Sequence, residues 1–109
     1  MNWFSRMRQP AGSASGALPK NARLIDVRSP GEYASGHVRG AINVPLDRLA
    51  HDIESIVPEK TEPVLLCCLS GARSAAACGL MQKLGYQQVR NGGSVGAVAM
   101  QLDRPIERG

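Results

Sequence analysis

A chain of 109 residues is long enough to bury one apolar core without disulfide staples and too short for two domains of ordinary size. Apolar residues make up 43%, near the globular norm, but aromatic residues only 4%, so the core must rest on Leu, Ile, Val and Ala, and a stacking platform for nucleic-acid bases is not expected. The net charge of +4 comes from basic residues scattered along the chain, which attracts small anions modestly at physiological salt and is a poor footprint for nucleic acid.

Residues 1–21 mix Gly, Ser, Ala and Pro without a sustained period and read as a flexible N-terminal arm ahead of a domain over 22–109. Trp3, Phe4 and Met7 either pack back on that domain as a short helix or stay apart from it; the sequence leaves both open. Arg6 and Arg8 are followed by no apolar run of signal-peptide length, so export is not expected and a cytoplasmic location is. No apolar run elsewhere is long enough to cross a bilayer, and a soluble chain without a membrane partner is expected.

From residue 23 the pattern sharpens. Leu24-Ile25-Asp26-Val27 predicts a strand, closed by the turn residues Ser29-Pro30-Gly31. Residues 32–35 have room for one helical turn, which Gly36 ends, and residues 41–44 predict a second strand stopped by Pro45. Leu46, Leu49, Ala50, Ile53, Ile56 and Val57 follow the spacing of one helix face, and Pro58 ends that helix. Val64-Leu65-Leu66-Cys67 is an uninterrupted apolar run, as a strand covered on both faces requires, and is placed at the centre of the sheet.

Ala77, Leu80, Met81 and Leu84 mark a further helix face with Gly85 as terminator, and the alanines at 75–77 allow close approach to a sheet. Residues 86–90 then predict a fourth strand, Asn91-Gly92-Gly93 a turn, and residues 95–102 a last helix. Strand and helix therefore alternate, the pattern of an α/β domain with a mostly parallel central sheet of four to five short strands and helices on both faces. Ligands of such sheets bind beyond the carboxyl ends of the strands, and the loop after Cys67 lies there.

That loop is Cys68-Leu69-Ser70-Gly71-Ala72-Arg73-Ser74. Between a buried strand and a helix, with Gly71 permitting a tight turn, its amides can converge on one point at the positive end of the helix. Such a cradle binds an anion and lowers the pKa of a thiol inside it, which makes Cys68 a candidate nucleophile and residues 69–74 its candidate binding loop. Arg73 either holds an anionic substrate or forms a structural salt bridge. Ser70 and Ser74 either donate hydrogen bonds to the site or cap the helix. The cysteines, at 67, 68 and 78, are too few and too clustered for a disulfide framework and fit a reducing compartment. Without a C-x-x-C, and with His37 and His51 far from them in sequence, they do not read as metal ligands, so neither metal nor cofactor is expected.

The loop resembles the active-site loop C-x-x-G-x-R of the rhodanese family. The resemblance extends to Leu24-Ile25-Asp26-Val27-Arg28, Glu32-Tyr33, the run from Gly36 through Gly40-Ala41-Ile42-Asn43-Val44-Pro45, Leu84-Gly85-Tyr86 and Val89-Arg90-Asn91-Gly92-Gly93. It implies a rhodanese-like fold and thiosulfate sulfurtransferase activity: a small anionic donor gives sulfur to Cys68, which passes it as a persulfide to a thiol, to cyanide or to a protein acceptor. Ala97-Val98-Ala99-Met100 is similar to a short, periplasmic form of the family, which sets a periplasmic location beside the cytoplasmic one.

Asp26, Arg28, Glu32 and His37 are read as framework, with Arg28 and Glu32 spaced to pair locally. Cys67 departs from a simple match, because counting from it gives C-x5-R, the loop length of cysteine phosphatases and arsenate reductases. Cys67 is read as core filler, with thiol exchange toward Cys68 as its alternative role, and Cys78 as packing. A phosphatase-like or arsenate-reductase-like enzyme and a catalytically silent binding module are the competing functions. A monomer is the default.

Overall fold

In the computed structural model, which describes residues 18–109, strands and helices alternate as the pattern requires. In chain order they are β1 (Arg23–Asp26), α1 (Pro30–Ser35), β2 (His37–Val38), β3 (Ile42–Asn43), α2 (Leu46–Ile56), β4 (Val64–Cys68), α3 (Ala72–Lys83), β5 (Val89–Ser94), α4 (Val95–Leu102) and β6 (Ile106–Glu107). β3, β1, β4 and β5 pair in that order and all in parallel, which makes β4 an inner strand.

All five residues of β4 are buried because both faces of the sheet are covered. Successive side chains of a strand point to opposite faces. Accordingly Val64, Leu66 and Cys68 enter the core shared with Leu49 and Ile53 of α2 and with Ala77 and Met81 of α3. Leu65 and Cys67 enter the opposite core, with Val95, Val98 and Leu102 of α4. Local signals place the helix ends. Ser29 and Glu32 form a reciprocal capping box around Pro30 at the start of α1, and α2 stops at the cap residue Val57 before Pro58.

Two expectations need correction. The fourth strand does not run over residues 86–90 with a turn after it; β5 spans Val89–Ser94 and contains Asn91, Gly92 and Gly93. The glycines mimic a turn signal, yet Gly92 is there because α4 packs directly against the strand. A Cβ on Gly92 would lie 2.7 Å from Val98 Cγ2, 3.1 Å from Leu65 Cδ1 and 3.2 Å from the Leu66 carbonyl oxygen. The register slips between Leu66 and Cys67 of the neighbouring strand, where Gly93 holds φ +87°. Tyr86, freed from the strand, is buried instead and donates its hydroxyl hydrogen to the Val57 carbonyl at 2.5 Å.

The second correction is a two-stranded antiparallel sheet, β2 with β6, pairing His37 with Glu107 and Val38 with Ile106. Strands of two residues carry no period for a sequence pattern to show. Trp3, Phe4, Met7 and most of the expected arm lie outside the described residues. Of its last part, Leu18 is buried in the core beside α4, and the Lys20 carbonyl accepts from Arg104 Nη2 at 3.1 Å. Among the described residues no helix is long and apolar enough to cross a membrane.

Candidate active site

β4 ends at Cys68, and the chain must reverse into α3 within three residues. Gly71 makes this possible at φ +97°, a left-handed conformation that glycine adopts without steric cost, and it serves as the N-cap of α3. The turn brings the Gly71 amide to 2.9 Å and the Ser74 amide to 3.4 Å from Cys68 Sγ, with Ser74 Oγ 3.5 Å away. Cys68 itself is wholly buried beneath the loop.

Burial pushes the Cys68 thiol pKa up, but the hydroxyl and amide of Ser74 and the amides of Gly71 and Ser70 together outweigh it, so the thiol titrates below its ordinary value. The start of α3 adds its positive dipole end. These groups form a receptor for negative charge on sulfur. Ser74→Ala removes the hydroxyl that lies 3.5 Å from Cys68 Sγ and donates to Asn91 Oδ1 at 2.6 Å, so the cradle loses a polar neighbour and its tie to β5, and the Cys68 pKa is expected to rise. Iodoacetamide alkylation at pH 7 should then slow about tenfold, the size of one hydrogen bond to a charged group, and its pH midpoint should move upward; an unchanged midpoint would refute this role.

Asn91 holds the loop in place. Ser74 Oγ lies 2.6 Å from Asn91 Oδ1, Asn91 Nδ2 donates to the Gly71 carbonyl at 3.0 Å, and the Gly93 amide donates back to Oδ1 at 2.8 Å. This single amide ties the loop to β5. Sequence reasoning passed over Asn91 because it stands in an apparent turn, where Asn is common for its local backbone preferences.

The remaining loop residues separate. Leu69 and Ala72 project to solvent at the rim, Leu69 being 62% exposed. Ser70 contributes its amide, and α3 has no side-chain cap, so neither serine caps the helix. Arg73 is already engaged: its Nη1 and Nη2 donate to the two carboxylate oxygens of Glu32 at 2.7 and 2.9 Å. Glu32 also accepts from the Ser29 amide at 3.0 Å. The Arg73 guanidinium first, and the Ser29 amide next, hold the Glu32 carboxyl down at about 2.

The expected local pair of Arg28 with Glu32 is therefore not formed. Arg28 is drawn back along the chain to Asp26, with Nε–Oδ1 at 2.9 Å and Nη2–Oδ2 at 2.7 Å, and Nη2 also donates to the Gly36 carbonyl at 2.7 Å. Both charges of that pair are buried, and the hydrogen bonds to Asp26 raise the Arg28 pKa despite desolvation. His37 stacks on Tyr33 with ring centroids 3.8 Å apart and contacts its carbonyl through Nδ1 at 2.9 Å.

Cys67 and Cys68 lie on opposite faces of the sheet, in different cores. Thiol exchange between them would require breaking the central strand, and the longer C-x5-R count starts from a side chain that faces away from the loop. Burial, with the Asp26 charge next, pushes the Cys67 thiol up to about 12, and burial pushes Cys78 up to about 11. A hollow of about 660 Å³ lies around Pro63, Val64, Gln87 and Val89 near the amino ends of β4 and β5, away from Cys68, and has no nucleophilic thiol in its lining.

A buried strand-end cysteine under a glycine-turned amide loop, in a four-stranded parallel sheet covered on both faces, defines a class of small α/β sulfur-handling domains. Residues 11–94 match the rhodanese-like domain, and the chain belongs to that family of sulfurtransferases. It is 40% identical over 76 residues to the thiosulfate sulfurtransferase PspE of Escherichia coli (strain K12), covering 70% of this chain and 73% of the relative. It is also similar to the uncharacterized protein YqhL of Bacillus subtilis (strain 168), at 39% over 72 residues, or 66% of this chain and 56% of that one. Among solved structures, a rhodanese with anions from E. coli superposes with a TM-score of 0.74 at 36% identity, covering 81% of this chain and 99% of the other.

Proposed function

We propose that this protein moves sulfane sulfur from thiosulfate, or a similar anionic donor, to a thiophilic acceptor such as a thiol or cyanide through a persulfide on Cys68. The reading is carried by one observation: two backbone amides, of Gly71 and Ser74, donate to a sulfur at a strand end. In the first step the Cys68 thiolate attacks the outer sulfur of the donor. A Cys68–sulfur bond forms, the donor's S–S bond breaks, and with thiosulfate sulfite leaves with the electron pair. In the second step the acceptor attacks the terminal sulfur and the Cys68 thiolate is released.

The amides that stabilise the thiolate also face the charge of the persulfide, so the same cradle serves both steps. Residues 69–74 are its walls, with Leu69 and Ala72 at the rim. The three free thiols suit a reducing compartment, and the reading takes the protein as a cytoplasmic monomer.

Brief incubation with thiosulfate should add one sulfur atom to the intact mass, and cyanide should remove it with formation of thiocyanate. No added sulfur with any sulfane donor would overturn the reading in favour of a phosphatase-like enzyme or a binding module.

A further inference from the structure

The Ser74 hydroxyl has one hydrogen and three acceptors within reach: Asn91 Oδ1 at 2.6 Å, the Gly71 carbonyl at 3.2 Å and Cys68 Sγ at 3.5 Å. Which of them takes the hydrogen depends on the way the Asn91 amide faces, and two backbone groups settle that. The Gly93 amide at 2.8 Å needs an acceptor, so Oδ1 faces it, and the Gly71 carbonyl at 3.0 Å needs a donor, so Nδ2 faces it. Turning the side chain over would set donor against donor and acceptor against acceptor. Asn91 is thus bound to present an oxygen to Ser74, at the shortest of the three distances.

With Cys68 neutral, every hydrogen has a place. The hydroxyl donates to Asn91 Oδ1, which leaves a lone pair of Ser74 Oγ for the Cys68 S–H. When the thiol proton has gone to solvent, the sulfur has nothing to donate and is a stronger acceptor than a neutral amide oxygen. Rotation about the Ser74 Cβ–Oγ bond then carries the hydroxyl hydrogen to sulfur, while Asn91 Oδ1 keeps the Gly93 amide. No backbone group has to move, and the Gly71 and Ser74 amides face the sulfur in both states.

Resting on the sulfur-transfer reading above, we propose that Asn91 is a positioning residue for that reaction: it holds the Ser74 hydroxyl hydrogen while Cys68 is a neutral thiol and yields it when the sulfur is a thiolate. The thiolate occurs twice in the cycle, as the nucleophile of the first step and as the leaving group of the second. Asn91 acts through Ser74 and not on the transferred sulfur.

Other groups also bear on the Cys68 charge. On its side of the sheet these are Arg73 and Cys78 of α3, Glu32 of α1 through Arg73, and Asp47 of α2 beside Arg73. Cys67 and, by the alternation of β1, the Asp26–Arg28 pair lie toward the other face. The test leaves all of them in place and reads a difference in which their contributions cancel.

The quantity read is the shift in the pH midpoint of Cys68 alkylation by iodoacetamide that Ser74→Ala causes in three backgrounds: wild type, Asn91→Asp and Asn91→Ala. In the wild type it is expected to be about one pH unit upward. Asn91→Asp keeps an oxygen for both donors and makes it anionic, so the hydroxyl hydrogen is held away from sulfur and its removal should shift the midpoint by less than about half as much. Asn91→Ala removes the competing acceptor, so the same removal should shift it by at least about 0.3 unit more than in the wild type. The new charge, or a loosened loop, changes the midpoint with and without the hydroxyl and drops out of each comparison. A Ser74→Ala shift that is equal in all three backgrounds, or ordered the other way, overturns the role of Asn91.

A measurement on the unaltered protein covers the case in which the Asn91 variants fail to fold. The 13Cγ resonance of Asn91 should move with pH at the Cys68 alkylation midpoint, because Oδ1 loses one of its two donors there, and should lose that step in Cys68→Ser. A resonance that stays flat through the midpoint overturns the proposal while leaving Cys68 as sulfur carrier. If thiosulfate loads no sulfur on Cys68 of the wild type by intact mass, the sulfur-transfer reading fails and the role of Asn91 in it fails too.

Discussion

Cys68→Ser is expected to abolish sulfur loading and to lower cyanide-dependent turnover by at least about 10³-fold, whereas Cys67→Ser, if it folds, should retain turnover within a few-fold. The contrast follows from geometry. Serine places an oxygen where Cys68 Sγ stands and leaves the Gly71 and Ser74 amides a hydrogen-bond acceptor, so the loop should persist. What is lost is the nucleophile, because a hydroxyl is not ionised at neutral pH by two amides and a helix terminus. Cys67 lies in the opposite core, and its replacement buries a hydroxyl beside α4 without touching the cradle. Turnover assays, supported by thermal melts to normalise for folded protein, distinguish the two. Retained turnover in Cys68→Ser, or loading that depends on Cys67, would assign the carrier elsewhere.

The largest expected effect on stability is at Asp26. Its side chain is fully buried and carries three contacts from the Arg28 guanidinium as well as the Arg28 amide at 3.1 Å. Asp26→Ala leaves the Arg28 guanidinium buried with its Nη2 on the Gly36 carbonyl at 2.7 Å and no carboxylate beside it, a situation that costs about 3–5 kcal/mol. For a domain of this size the melting temperature should drop by roughly 15–30 °C. The double variant Asp26→Ala/Arg28→Met removes the stranded charge as well and should recover more than about 1 kcal/mol of the loss. A melt within a few degrees of wild type for Asp26→Ala would show that the pair does not brace the end of β1.

The positions of these two residues explain how far the sequence could be read. Val64-Leu65-Leu66-Cys67 announces a doubly covered strand because burial on both faces removes the alternation that a half-exposed strand would show. The face of α2, Leu49 and Ile53 inward, is equally plain because a helix repeats its apolar stripe over three turns. Cys68 and Gly71 stand out for a local reason too: a nucleophile and its turn lie three residues apart on one continuous loop.

By itself, then, the sequence determined the α/β alternation, the inner strand, the last helix and the loop that ends on Ser74, since each is a matter of neighbours along the chain. Tertiary structure alone decided the partners. Glu32 meets Arg73 across 41 residues and Asn91 meets Ser74 across 17, contacts that exist only after the sheet has brought α1 and β5 to the two sides of the loop. Gly92 became a strand residue because of how closely α4 approaches, and the β2–β6 pair formed because residues about 70 apart reach one edge of the domain. The physical reason is the same in each case: periodicity and turn chemistry act locally, whereas the pairing of a polar side chain is chosen by whichever complementary group the folded backbone places within reach.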